Sequence, residues 1–270
     1  MANRSLGAAL LKPLREGFRH ALGLRKPPYV SDPALRKLEH VVRIPPMTPE
    51  LARAIKLISP GFDMPADEKL RRAFEANQNE SCWGEYRALA PVLAALPPSP
   101  KVLELGPGLG RSLIFFAKTL GWRKLHAWEG EGSSTKYTRL GPRFDDSFCG
   151  DIAALRSVLA FNGVGGVTIH NAREAGLPEL PGPFDFIHSF YSIGFHWSVE
   201  HFLDDLVPLL ADDGIMAFVV PPEFSPGPAT APLSRKLVTL PVPTRKGPLN
   251  GILILSRKPL PDAAARASAG

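Results

Sequence analysis

Cysteine is scarce in this chain: there are two in 270 residues, Cys82 and Cys149. Two thiols cannot staple a small scaffold, and they lack the spacing of a zinc site. Their number fits a reducing cytoplasm. Long apolar runs are also missing, and no stretch approaches the roughly 18 residues that would span a bilayer. No internal repeat is present, which excludes collagen-like and fibrous classes. The excess of one charge sign is small, with 32 Lys and Arg against 26 Asp and Glu. What is present is an ordinary apolar fraction of 44%, enough for a buried core and too much for a wholly disordered chain.

The net charge of +6 is unevenly placed. Residues 1–26 hold six basic side chains against Glu16, a net of +5, so the other 244 residues carry only +1. A nucleic-acid-binding body spreads its basic residues over a folded face, so no nucleic acid is expected as a partner. The segment is a weakly amphipathic arm, with Leu6, Leu10, Leu14, Phe18 and Leu22 four residues apart and Pro13 between them. Its apolar stretch is too short for a signal peptide. Two readings stay open: a basic arm packed on the body or left mobile, or a peripheral membrane anchor attracted to anionic lipid. The expected location is cytoplasmic, with or without membrane-surface contact through residues 1–26.

Four regions are predicted: a basic arm at 1–28, a helical lid or extension at 29–98, an α/β domain at 99–260 and a disordered tail at 261–270. In the extension, Thr48-Pro49-Glu50 opens a helix and Asp67 caps a second. A third is predicted over about 83–96. Beyond Pro97-Pro98-Ser99-Pro100, short apolar strands alternate with helices. Strands are predicted at 101–105, 124–128, 167–170, 184–189 and 215–220, with helices to about 120 and at 133–141, 151–162 and 198–210. Two closing strands, 236–240 and 251–256, are joined too tightly for a crossover and should run antiparallel. The fold predicted is a doubly wound, seven-stranded, mostly parallel sheet with a helical N-terminal extension.

The first strand ends in Gly106-Pro107-Gly108-Leu109-Gly110, and a helix follows. Strand, glycine turn and helix together make a nucleotide-binding arrangement, though a tight turn alone also needs glycine. A dinucleotide fingerprint wants a further glycine where Arg111 stands. Glu104 lies two residues before the turn, where a carboxylate repels a diphosphate but suits an amino group and a sulfonium cation. Glu129 ends the second strand, 19 residues after Gly110, placed to accept from two ribose hydroxyls. No Gly-Lys-Ser/Thr follows the turn, so the Walker loop is absent.

Val102-Leu103-Glu104-Leu105-Gly106-Pro107-Gly108-Leu109-Gly110 resembles the first motif of the class I S-adenosylmethionine-dependent methyltransferases. Glu129, Asn171-Ala172 after the third strand, and the stretch from Phe184 through His196-Trp197 to Val220 are also similar to that family. Asn171 stands where the family often has Asp. The resemblance covers roughly residues 80–258. It implies S-adenosyl-L-methionine as cofactor. Glu104, Gly106, Gly108 and Gly110 would hold its methionine end, Glu129 the ribose and Asn171 the adenine edge, with Ser189 bordering the site. Gln78 and Trp83 are implied as contacts from the extension, or else belong to a helix–helix loop capped by Ser81. Arg111 pairs with the cofactor carboxylate or faces solvent.

Methyl transfer to a hydroxyl benefits from a base within hydrogen-bond reach. His196 and Tyr191 are the candidates after strand four, and His188 shares a face with Phe residues, the pattern of a packed histidine. The Asp/Asn-Pro-Pro-Tyr/Phe motif of nucleobase amine methylases is replaced by Ser189-Phe190-Tyr191-Ser192. No metal-spaced acidic cluster is present, so no metal is expected. The acceptor reading is a small-molecule or sugar/polysaccharide hydroxyl. Rival readings are a peripheral-membrane lipid or quinone methyltransferase, a nicotinamide-dependent oxidoreductase, and a non-catalytic methyltransferase-like binding module.

Overall fold

The computed structural model describes residues 41–58, 65–132, 150–240 and 250–260, without the side chains of Phe195 and His196. All of these belong to one structural unit, His40–Gly270. The basic arm, the tail and the helix predicted at 133–141 lie outside the described residues.

Helix α1 spans Pro49–Ile58 and buries Leu51, Ala54 and Ile55. Thr48 caps it, its Oγ1 accepting from the Leu51 N–H at 3.2 Å. Pro49 sits where a missing N–H costs nothing. Helix α2 departs from expectation. It runs unbroken over Glu68–Leu93, 26 residues, from the Asp67 cap. The polar run predicted as a break, residues 77–83, lies inside it. The reason is that this polarity is buried and partnered. The Asn79 side chain accepts from Val42 N–H at 3.0 Å and donates to Val42 C=O at 2.8 Å. A helix with a buried polar face looks like two helices and a loop when only apolar spacing is read.

The strands are β1 Lys101–Leu105, β2 Lys124–Glu129, β3 Thr168–Asn171, β4 Phe184–Ser189, β5 Ser192–Trp197, β6 Leu210–Val220, β7 Ser234–Thr239 and β8 Gly251–Ser256. Seven of them form one sheet in the order β3-β2-β1-β4-β6-β8-β7. β1 pairs in parallel with β2 and β4, β2 with β3, and β4 with β6. β8 runs antiparallel to both β6 and β7. This is the doubly wound, mostly parallel sheet that the sequence predicts. Where Phe184 and Phe186 pair with Leu210 and Ile215, the register shifts, so residues 211–214 bulge out of β6. β5 stands outside the seven, and the sequence gives no warning of it. It holds His196, which was expected in a loop.

Helix α3, Arg111–Phe115, continues as a π-helical turn over Phe116–Leu120. Helix α4 is Ile152–Phe161, capped by Asp151. Helix α5 is only Leu203–Leu209. The helix predicted from Ser198 begins instead as a 3-10 turn, and Ser198 makes no side-chain capping bond. Side chains alternate across the sheet. Leu103, Leu105, Ile187, Met216 and Phe218 pack with Leu203 and Leu206 of α5. Phe186 and His188 point the other way, against Phe116 after α3. At the far edge of the sheet, His126 Nδ1 and His170 Nε2 lie 3.1 Å apart, one neutral ring donating to the other. Burial, with Lys101 and His170 nearby, lowers the His126 pKa to about 4, which keeps that pair uncharged near neutrality.

Gly110 shows how closely the glycine turn is held. Its φ is +74°, and a Cβ there would lie 2.7 Å from Leu155 Cδ1 and 3.1 Å from Leu159 Cδ2 of α4. Gly110→Ala therefore combines left-handed strain with overpacking. We expect a loss of about 2–4 kcal/mol, read as a lower urea midpoint. An unchanged midpoint would show that the turn relaxes freely.

Candidate cofactor site

The carboxyl ends of β1, β2 and β4 meet at the glycine turn. Gly106, Gly108 and Gly110 all have left-handed φ, at 65°, 59° and 74°. The Gly106 N–H donates to the Trp128 carbonyl at 2.9 Å, which fixes the turn to β2. Gly106 also has no room for a side chain, because a Cβ would sit 2.2 Å from Ser192 Oγ at the start of β5.

Two carboxylates flank this turn, and their environments differ. Glu129 is 5% exposed. Its Oε2 accepts from the Gly108 N–H at 2.8 Å and its Oε1 from the Gly130 N–H at 2.9 Å. Burial still raises its pKa to about 7 against those two bonds. Glu104 is 2% exposed and its Oε2 has no hydrogen-bond partner. Burial pushes its carboxyl up to about 8, opposed by Arg111 and Ser112 and reinforced by Glu85 and Glu129. Glu104 is thus a buried acid whose surroundings favour its protonated form.

The cation nearest in sequence is already spent. Arg111 was expected to meet a cofactor carboxylate or solvent, and the structure gives it a different partner. Its Nη1 and Nη2 donate to Glu85 Oε2 and Oε1 of α2, both at 2.6 Å. Burial penalises the guanidinium, but Glu85 outweighs that and holds its pKa well above the ordinary value. Burial likewise pushes the Glu85 carboxyl up, against the pull of Arg111. The pair ties α2 to the start of α3 through charge-assisted, bidentate bonds. Cys82 lies beside it, its Sγ 3.6 Å from Arg111 Nη1. Burial raises that thiol to about 12, which leaves it unreactive.

The remaining predicted residues divide by what their polar atoms already do. Ser189 is fully buried and its hydroxyl donates to Leu105 C=O at 2.7 Å while accepting from Ile193 N–H at 2.9 Å. It braces the β4–β5 turn against β1. Asn171 closes its own turn, accepting from Arg173 N–H and donating to Glu174 Oε1, both at 3.0 Å. Gln78 and Trp83 are on α2 rather than in a loop. The Gln78 amide donates to Asn77 at 3.2 Å. The Trp83 ring meets Phe115 and Tyr86 edge to face, with centroids 5.0 and 5.9 Å away.

Tyr191 is the one non-glycine among the described residues with positive φ, at 75°. A bulky residue rarely takes that conformation unless its surroundings impose it. The Arg111 guanidinium lies 5.6 Å from its ring centroid. Burial, then Glu85, raise its pKa. His196 has its backbone in β5, and its side chain lies outside the described residues. His188 is fully buried between Phe186 and Phe190, at centroid distances of 4.9 and 4.7 Å. That agrees with the packed histidine read from strand parity. Sequence reasoning missed Glu85 and Ser112. Neither belongs to a motif, and the pairing of Glu85 with Arg111 spans 26 residues.

Among the described residues no three of His, Cys, Asp and Glu gather to hold a metal ion, and no helix is long and apolar enough to cross a membrane. No family model matches the chain, and no curated protein matches it. Several solved structures are similar. MtNAS, in complex with MTA and tNA, is 13% identical with a TM-score of 0.46, covering 77% of this chain and 71% of that one. A methyltransferase from Pyrococcus furiosus is 15% identical with a TM-score of 0.44, covering 65% and 82%. The ribosomal protein L11 methylase from Lactobacillus delbrueckii subsp. bulgaricus is 17% identical with a TM-score of 0.40, covering 65% and 79%. At that distance the chemistry must be read from this chain's own residues.

Proposed function

We propose that this chain is an S-adenosylmethionine-dependent methyltransferase acting on a hydroxyl of a small molecule, sugar or polysaccharide. The observation that carries the reading is the buried Glu104 carboxyl, whose Oε2 has no hydrogen-bond partner, beside a left-handed glycine turn, with Glu129 across it. The donor set fits the cofactor. Glu104 suits an ammonium. Glu129 uses one lone pair on each oxygen for Gly108 and Gly130, and a carboxylate has about four such sites, so two ribose hydroxyls still find acceptors. Asn171 lies at the end of β3, next to Glu129 at the end of β2, which suits the adenine edge.

When bound, S-adenosylmethionine supplies a methyl group on a sulfonium. The chain's part is to orient and to exclude water, and alignment alone can account for much of the barrier reduction. Tyr191 and Trp83 provide aromatic walls, and the strained Tyr191 turn is held by Ser189. His196, on β5, is the residue assigned to accept the hydroxyl proton. A nicotinamide reading is disfavoured by two features. Glu104 would face a pyrophosphate, and Arg111 is locked to Glu85 rather than free to meet one.

Calorimetric titration with S-adenosylhomocysteine tests the reading. Saturable binding is expected, weakened at least about tenfold in Glu129→Ala by loss of hydrogen bonds to a charged group. Equal affinity in wild type and Glu129→Ala would remove the ribose assignment and with it the proposed binding mode.

A further inference from the structure

Away from the glycine turn, the surface carries a cluster of cations that no carboxylate answers. Arg43, Lys118, Arg123 and Lys124 are all exposed, and among the described residues none of them is in an ion pair. Other surface cations are paired: Arg53 with Asp151, Arg72 with Glu68, Lys258 with Asp213. Short contacts join the cluster. The Lys118 ammonium donates to Val41 C=O at 3.1 Å and to Asn162 Oδ1 at 3.4 Å. Asn162 Oδ1 also accepts from the Arg43 N–H at 2.9 Å. Arg123 Nη1 donates at 3.5 Å to the carbonyl of Ala117, the neighbour of Lys118. The Lys118 pKa is lowered, by burial first and then by Arg43, so these two cations feel each other.

The field around them has one sign. Residues 41–48, 116–124 and 152–170, which build this face, contain no Asp or Glu. The carboxylate that reaches it from α2, Glu75, accepts from the Ile44 N–H and is already paired with Arg71. Within the field stands Phe161, the last residue of α4 and 44% exposed. It is one of two large apolar side chains so exposed among the described residues. The Arg43 guanidinium lies 5.6 Å from its ring centroid. Cations around an exposed aromatic are the makings of a surface that seats at the headgroups of an anionic bilayer.

Position supports the same partner. Lys124 opens β2, and residues 162–167 lead from α4 into β3, so the face lies at the amino ends of the strands, opposite the glycine turn. The described fold begins on this face, at Val41. The chain before it includes residues 1–26, with a net charge of +5 and Leu6, Leu10, Leu14, Phe18 and Leu22 four residues apart. Those leucines suit lipid, whereas a phosphate backbone gives them nothing to meet. Near an anionic membrane each Lys or Arg strengthens binding by about fivefold, within a Debye length of the surface.

We propose that the face formed by Arg43, Lys118, Arg123 and Lys124 around Phe161 docks on a bilayer that carries anionic phospholipid. The inference is independent of the cofactor reading. It leaves the glycine turn, at the other end of the sheet, open to solvent.

Co-sedimentation of the full chain with vesicles tests it, using phosphatidylcholine alone and phosphatidylcholine mixed with phosphatidylglycerol. Binding is expected to the mixed vesicles only, and high salt should abolish it. Arg123→Glu with Lys124→Glu should weaken it by at least about tenfold. Phe161→Ser, which changes no charge, should weaken it by roughly threefold or more. The same charge reversal at Arg235 and Lys236 of β7, at the opposite edge of the sheet from β3, should cost much less. If the double variant fails to unfold cooperatively, Phe161→Ser decides. Wild-type affinity in the variants of this face would leave residues 1–26 as the anchor and overturn the docking face. Absence of wild-type binding to the mixed vesicles would overturn it too. Tighter binding to an RNA or DNA duplex than to vesicles at equal salt, lost in the double variant, would replace lipid by nucleic acid.

Discussion

Arg111→Ala should destabilise the fold by about 3–5 kcal/mol, and Glu85→Ala by a similar amount. Both side chains are nearly inaccessible, at 10% and 3%, and the bidentate contact is 2.6 Å on each arm. Removing either partner leaves the other charge buried and unpaired. Removing both should cost much less than the sum, because neither charge then remains. An Arg111→Met, Glu85→Leu pair should regain most of the stability, since apolar side chains of similar volume avoid the desolvation that the ion pair must offset. Urea unfolding arranged as a double-mutant cycle measures this.

The pH dependence has a definite sign. With Arg111 gone, the Glu85 pKa in the fold rises further above its unfolded value. The penalty of Arg111→Ala then grows as pH rises and shrinks as Glu85 protonates. Additive costs with no coupling would mean that the pair does not act as a unit.

Glu104→Gln should raise the stability of the ligand-free chain at pH 8 and abolish tight cofactor binding. Glu104 has a folded pKa of about 8 against an ordinary 4.5. The folded state therefore holds a proton that the unfolded state releases, and stability falls as pH rises from about 4.5 through about 8. At pH 7 that difference is on the order of 3 kcal/mol. A glutamine does not titrate, so the variant escapes this loss. Thermal unfolding from pH 5 to pH 9 should show the two proteins close together at the acid end and separating toward the alkaline end. Glu129, raised to about 7, contributes in the same direction and is present in both. Parallel profiles would mean that burial does not hold the Glu104 carboxyl protonated. A residue that destabilises the empty protein and binds the ligand is what a functional site does to its fold.

Much of this architecture is visible in the amino-acid order. β1, β4 and β8 begin and end where apolar spacing and the flanking Gly and Pro place them, and the antiparallel pairing of β7 with β8 follows from a short connection. The glycine turn and its two carboxylates are local features, so a motif can report them. What escapes is long-range and polar. Glu85 lies among residues that look like surface, and only packing α2 onto α3 turns it into the partner of Arg111. Asn79 makes α2 look broken because its bonds go to Val42, 37 residues away. β5 carries no signature because Gly194, at φ +93°, interrupts the pattern on which strand reading depends. His188 is read correctly as packed, yet the absence of any partner for its nitrogens needs the surrounding atoms to be known.

The central claim is that the glycine turn, with Glu104 and Glu129, takes the sulfur-bearing nucleoside cofactor. The most direct measurement is calorimetric titration of the full chain with S-adenosylhomocysteine and, in parallel, with a nicotinamide dinucleotide. The account predicts saturable one-to-one binding of the first and none of the second. Binding of the dinucleotide without binding of S-adenosylhomocysteine would contradict it.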